Sequence, residues 1–226
     1  MNDPWYETNA YSSSATLQSK MNTISSAYSE LSKSRSEYVQ FYMKNHEQIP
    51  TWIMIKVVNF STFIDVLHNS KTNVTLAICK LYSMYDDNNL PNVKLLIGSL
   101  HWLRRVRNSC AHNERVYCIH QTQARNNSAS GRILDPYYTQ LPTSYSRCTE
   151  KNIFDILVYF KYFLPTEEFT PMIIELKNML IELQNTLQTN AFDNVRGQMG
   201  IKNLNVLDAL IALPKSKIQY HKFDTL

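Results

Sequence analysis

Glycine and proline are scarce in this chain, four and eight residues out of 226. So few obligatory turn residues disfavour many short strands and favour long helices joined by polar loops, so an all-α fold is expected. Cysteine is sparse as well. Cys79, Cys110, Cys118 and Cys148 form no Cys-x-x-Cys pair, which removes the usual support for a zinc site or a disulfide-stapled scaffold and fits reduced thiols in a cytoplasm. No stretch approaches the roughly 18 apolar residues needed to span a bilayer, and Met1 to Ala10 lacks the basic and apolar sections of an export signal. A cytoplasmic protein with no membrane partner is expected. Strong charge is missing too: a net charge of +4 permits a polyanionic partner without demanding one.

What the chain does have is apolar residues, 44% of its length, enough for a substantial core in a single domain covering 1–226. From Met21 to His46 the positions Ile24, Ala27, Tyr28, Leu31, Tyr38, Phe41 and Tyr42 recur at helical spacing and predict one long amphipathic helix. After Pro50, the run from Trp52 to Phe60 is apolar nearly all round and continues through Phe63, Ile64, Val66 and Leu67. A buried strand competes with a buried helix there, and the length favours the helix. Val74 to Tyr85 predicts a shorter helix, followed by an Asp86-Asp87-Asn88-Asn89 turn and a new helix from Pro91. Residues 119–149 are polar, with Asn126 to Gly131 in their middle, and predict a long loop insert. Lys151 to Phe163 and Thr166 to Gln188 return to helical periodicity, and 190–226 is expected to be an irregular tail.

The helix from Pro91 is the informative one. At about 100° per residue, Leu95, Leu96, Ser99, Trp102, Leu103, Val106 and Cys110 share one arc. His101, Arg104, Arg105, Asn108, His112 and Arg115 share the opposite arc. One reading is an ordinary solvated face. Such faces usually mix both signs of charge, however, and no acid occurs between Lys94 and Asn113, so a bound anion is the competing reading. Asn108 and His112 stack four residues apart, with Arg107 about a quarter turn aside. Together they supply a guanidinium for phosphate, an orienting amide and an imidazole that titrates near neutrality. These groups suit cleavage of RNA without a metal: His112 moves the proton of the 2′-OH or of the leaving oxygen, and Arg107 stabilises charge on phosphorus. Arg104, Arg105, Arg115 and His101 are the candidate substrate-binding residues. One imidazole serves both ends of the reaction poorly, so a homodimer is attractive.

Val106-Arg107-Asn108-Ser109-Cys110-Ala111-His112-Asn113-Glu114-Arg115-Val116 resembles the conserved block of the Abi-like abortive-infection family, within the HEPN superfamily. Ile49-Pro50-Thr51-Trp52 and Asn59-Phe60-Ser61-Thr62-Phe63 resemble its Pro-x-Trp segment and the Phe-Gly-Thr stretch that follows. The likeness extends from about Trp5 to Gln198-Met199-Gly200. It implies a HEPN helical bundle, a catalytic Arg107, Asn108 and His112, facing motif helices in a dimer, and a role in anti-phage abortive infection. An antitoxin or a phage-derived trigger is a further implied partner. Ser61 stands where the family usually has glycine, and Asn113 where many relatives have a second histidine; the family's N-terminal helical segment is expected to be missing.

The functional expectation is therefore a metal-independent, cofactor-free endoribonuclease acting on RNA and leaving a 2′,3′-cyclic phosphate. The alternatives are a non-catalytic HEPN module that holds RNA, a nucleotide or a protein on the same basic face, and an interaction protein that meets an acidic partner there. His46, His68, His120 and His221 lack metal-ligand spacing and read as surface or loop residues. Tyr137, Tyr138 and Tyr145 either stack on RNA bases or pack on their own domain.

Overall fold

The computed structural model describes residues 5–86, 88–122, 141 and 150–214. Its architecture is all-α, as expected, with ten α-helices among the described residues. They are α1 Leu17–Lys33, α2 Glu37–Asn45, α3 Thr51–Val57, α4 Phe60–Asn69, α5 Thr72–Leu81, α6 Val93–Ala111, α7 Ile153–Phe163, α8 Thr166–Thr186, α9 Thr189–Gln198 and α10 Asn205–Ala212. The chain divides into two compact units, 1–78 and 79–226. Among the described residues no helix is long and apolar enough to cross a membrane.

In the first unit α1 packs on α3 and α4. Trp5, Ala27, Leu31, Val39, Ile49, Ile53 and Met54 form its core. The Trp5 indole N–H donates to the Ile49 carbonyl at 2.7 Å, and the Tyr11 hydroxyl donates to the Trp5 carbonyl at 2.6 Å. These bonds satisfy buried polar groups that would otherwise cost about 1–3 kcal/mol each.

Two helices predicted as continuous are each broken. The segment 21–46 is interrupted at Ser34-Arg35-Ser36, where Ser34 leaves the helix and its carbonyl accepts from Gln40 Nε2 at 2.7 Å. Serine competes with the helical backbone for its own hydrogen bonds, a local effect to which apolar periodicity is blind. The segment 52–67 breaks at Val58-Asn59, where Asn59 Oδ1 caps α4 by accepting from the Ser61 and Thr62 N–H groups. Glu30 on α1 completes that cap, accepting from the main-chain and side-chain nitrogens of Asn59 and from the Thr62 hydroxyl. A carboxylate at a helix N-terminus is favoured by the exposed N–H groups. The helix α3 is not buried on several sides either. Ile53 and Met54 are fully buried, but Trp52 and Ile55 stand exposed, with the Lys56 ammonium 5.2 Å from the Trp52 ring centre.

In the second unit α7 is the most enclosed element: Ile153 to Tyr159, Lys161 and Tyr162 are all buried. It packs against α6 and α8, and α8 also meets α9 and α10. Lys161 is tolerated in this position because its ammonium donates to the Leu210 and Ile211 carbonyls at 2.6 and 3.4 Å, in the last turn of α10, where the helix dipole is negative. The tail expected to be irregular contains α9 and α10, with Phe192, Val206, Leu207 and Leu210 buried. Of the predicted insert, Gln121–Thr122 pairs antiparallel with Glu150–Lys151, in register Gln121 to Lys151 and Thr122 to Glu150. Residues 123–140 and 142–149 of the insert, Tyr137, Tyr138, Tyr145 and Cys148 among them, lie outside the described residues, as does His221.

Candidate functional site

The motif helix begins later than Pro91 predicts. Asn92 is its cap, with Oδ1 accepting from the Leu95 N–H at 2.9 Å, and the Asn92 N–H donates back to the Met84 carbonyl at 2.8 Å. The turn before it is held by Asp86, whose Oδ1 accepts from the Asn88 and Leu90 N–H groups, each at 2.9 Å.

Along α6 the apolar arc is seated as the wheel requires, with Leu95, Leu96, Ser99, Trp102 and Val106 buried. Cys110 is a correction: it is exposed, and Ser109 is the buried residue of the last turn. The opposite arc faces outward at Arg105, Asn108 and His112, and Arg107 is exposed beside them. His101 and Arg104 are half-buried. The Arg105 guanidinium lies 5.6 Å from the Trp102 ring centre, a cation–π arrangement on its own helix.

Arg115 does not belong to that arc, because the helix ends at Ala111 and the chain turns away. The turn is a Schellman motif: the Asn113 N–H donates to the Cys110 carbonyl at 3.1 Å and the Glu114 N–H to the Ser109 carbonyl at 2.9 Å. Asn113 carries φ of 54°, the left-handed conformation such a turn requires and that asparagine tolerates better than most side chains. His112, the last residue before this reversal, has φ of −93° and ψ of 8°, and its N–H donates to the Asn108 carbonyl at 3.0 Å. Arg115 then opens a short 3-10 turn, Val116–Cys118.

At the motif, Arg107 Nη1 donates to Asn108 Oδ1 at 3.1 Å. The amide thereby holds one edge of an exposed guanidinium whose remaining N–H groups can meet an anion. Guanidinium, amide and imidazole gather at the C-terminal end of α6, with His112 one turn beyond Asn108. This set offers donors to a phosphate and an imidazole nitrogen to a hydroxyl.

A bond to a residue far along the chain anchors α6. Asn152 caps α7 in a capping box: Oδ1 accepts from the Phe154 N–H at 3.0 Å and the Asn152 N–H donates to Asp155 Oδ2 at 2.7 Å. The Trp102 indole N–H donates to the Asn152 carbonyl at 3.0 Å. Gly200 lies against the same asparagine at φ of +79°, where a Cβ would come within 2.1 Å of Asn152 Oδ1. The Met199-Gly200 turn is thus shaped by the cap it covers, and the Phe154 N–H donates to the Met199 carbonyl at 2.9 Å.

Spacing along the chain does not anticipate a concave feature of this unit. An open cleft of about 640 Å³ is lined by Cys118, His120, Asn152, Asp193, Asn194, Gly197 and Gln198. These come from three stretches that only folding unites, and pairing of residues 121–122 with 150–151 sets His120 and Asn152 side by side. Among the described residues no three His, Cys, Asp or Glu side chains form a metal-holding group.

The family model described as Abi-like protein matches residues 2–118. The chain belongs to the Abi-like family. That match ends at Cys118 and includes all of α6, the Arg107-to-His112 segment and the Schellman turn behind it. Family membership associates the chain with abortive infection. The searches of curated proteins and of solved structures gave no match.

Proposed function

We propose that this Abi-like protein is a metal-independent endoribonuclease of bacterial abortive infection, with a HEPN-type bundle, acting in the cytoplasm. The observation that supports it most is the joint exposure of Arg107, Asn108 and His112 at one end of α6, with the Arg107 guanidinium already oriented by Asn108. A donor set of guanidinium, amide and imidazole suits an oxyanion better than a divalent cation.

In the proposed reaction the ribose 2′-oxygen attacks phosphorus and the bond to the 5′-oxygen breaks, leaving a 2′,3′-cyclic phosphate and a 5′-hydroxyl. A neutral His112 accepts the 2′-OH proton, and a protonated His112 of a second copy gives one to the departing 5′-oxygen. Arg107 offsets the charge that develops on the phosphoryl oxygens. His101, Arg104 and Arg105 are placed along the same helix to meet neighbouring phosphates, while Arg115 would do so from beyond the helix end.

The test is incubation of the protein with mixed cellular RNA in excess EDTA, beside His112→Ala. Cleavage that persists in EDTA and disappears in the variant supports the proposal. RNA bound by both proteins and cut by neither supports a non-catalytic module instead.

A further inference from the structure

We infer that the polar cleft of the second unit is a binding site for a nucleobase, one carrying an exocyclic amine. The lining residues decide the ligand class. None of Cys118, His120, Asn152, Asp193, Asn194, Gly197 and Gln198 is a lysine or arginine, and the Arg196 guanidinium beside them is paired with Asp193, so the lining offers no unpaired cation to a phosphate. Nor does it contain a large aliphatic or aromatic hydrocarbon side chain, as a lipid or steroid would require. It does contain three carboxamides, a carboxylate and an imidazole.

These groups have unused capacity of both kinds. Asn152 is buried at 8% exposure, and its Oδ1 is committed to the Phe154 N–H. Among the described residues its Nδ2 has no acceptor, so a ligand carbonyl or ring nitrogen can meet it. Gln198 Nε2 donates to Asn194 Oδ1 at 3.2 Å. That bond leaves Asn194 Nδ2 as a donor beside Gln198 Oε1 as an acceptor, the alternation a base edge presents in reverse. Asp193 accepts from Arg196 Nη2 at 2.8 Å through Oδ1 alone, leaving Oδ2 for an amine. His120 is exposed and tethered by its Nδ1 to the Cys118 carbonyl at 3.2 Å, so its ring is held for stacking. Adenine, guanine and cytosine can use both the amide donors and the acidic acceptors; uracil cannot use the latter as well.

Gly197 provides the test. It lies within α9, and a Cβ there would meet nothing within 4 Å, so a side chain can be added into the cleft without strain on the fold. Calorimetric titration of the full chain with each of the four nucleosides reads the site directly. Adenosine, guanosine or cytidine is expected to bind at millimolar concentration or below, with uridine weakest. Gly197→Leu and Gln198→Ala should each weaken that binding at least tenfold without lowering the thermal midpoint.

A second titration uses a short single-stranded RNA and the His112→Ala chain, which avoids cleavage during measurement. RNA binding that is weakened by adding Gly197→Leu identifies an RNA base as the occupant. Nucleoside binding with RNA binding unaffected by Gly197→Leu identifies a free nucleoside or nucleotide. Absence of nucleoside binding, equal binding of uridine, or binding untouched by both cleft variants overturns the inference. None of these outcomes bears on cleavage by the motif residues, which EDTA and His112→Ala address separately.

Discussion

Trp102 donates its indole N–H to the main-chain oxygen of Asn152 at 3.0 Å, across 50 residues of sequence. Trp102 belongs to the motif helix, and Asn152 caps the most buried helix of the unit, so this bond ties the middle of α6, five residues before Arg107, to the core. Trp102→Phe keeps most of the ring but strands the Asn152 carbonyl, and should cost about 1–2 kcal/mol. Trp102→Ala leaves a cavity and should cost about 3–5 kcal/mol. Urea unfolding of the second unit, followed by far-UV dichroism, checks both values.

Asn113 predicts a sharper contrast. The left-handed conformation at φ of 54° is free for glycine and costs other L-residues about 1–2 kcal/mol, most when they are β-branched. Asn113→Gly should therefore match the parent chain in stability and cleavage, whereas Asn113→Val should be less stable and should cleave more slowly because the turn behind His112 is distorted. Equal behaviour of the two variants would separate the turn from activity.

Much of this was legible before folding was considered. Apolar spacing is a property of one helix at a time, so the seating of Leu95, Leu96, Trp102 and Val106 followed from the wheel, and so did the outward Asn108 and His112. The helix breaks at Ser34 and Asn59 were not, because each depends on a side chain finding a backbone partner: Gln40 for the first, Glu30 from a separate helix for the second. Arg115 is misplaced because the helix stops at Ala111 while the wheel runs on; Cys110 lies within the last turn of the helix, and nothing in the structure explains why Ser109 is buried there in its stead. The helices from Thr189 onward were hidden by their brevity, and the cleft around Asn152 and Asp193 by its origin in three distant stretches.

Burial of two ionisable groups makes the fold sensitive to alkali. Burial pushes the Cys79 thiol up from 9.0 to about 11 and the Tyr11 hydroxyl from 10.0 to about 12. Both are raised, so the unfolded chain loses these protons first. Their stabilising contribution is complete below pH 9 and is lost as pH rises through the range from 9 to about 12. Urea midpoints should therefore fall steadily over that range. Tyr11→Phe should be less stable at neutral pH, having lost the bond to the Trp5 carbonyl, yet should lose less of its stability between pH 10 and about 12. Cys79 should also resist thiol reagents in the native state, while the exposed Cys110 reacts.

Assembly is open to a mixing experiment. If the site needs His112 from both chains, an excess of inactive His112→Ala chain, mixed with the parent and allowed to exchange, should suppress cleavage, since every mixed pair has lost one of the two imidazoles. Full activity from a chain that sizes as a monomer in solution would rule out the shared site.

The most direct measurement is the end-group chemistry of RNA cut in excess EDTA by the parent chain and by His112→Ala. The parent is predicted to leave 2′,3′-cyclic phosphate and 5′-hydroxyl ends without any divalent cation, and the variant to leave the RNA intact while unfolding within about 0.5 kcal/mol of the parent, as suits an exposed residue. Cleavage that vanishes with EDTA and returns with magnesium, or products bearing 5′-phosphate and 3′-hydroxyl ends, would contradict it.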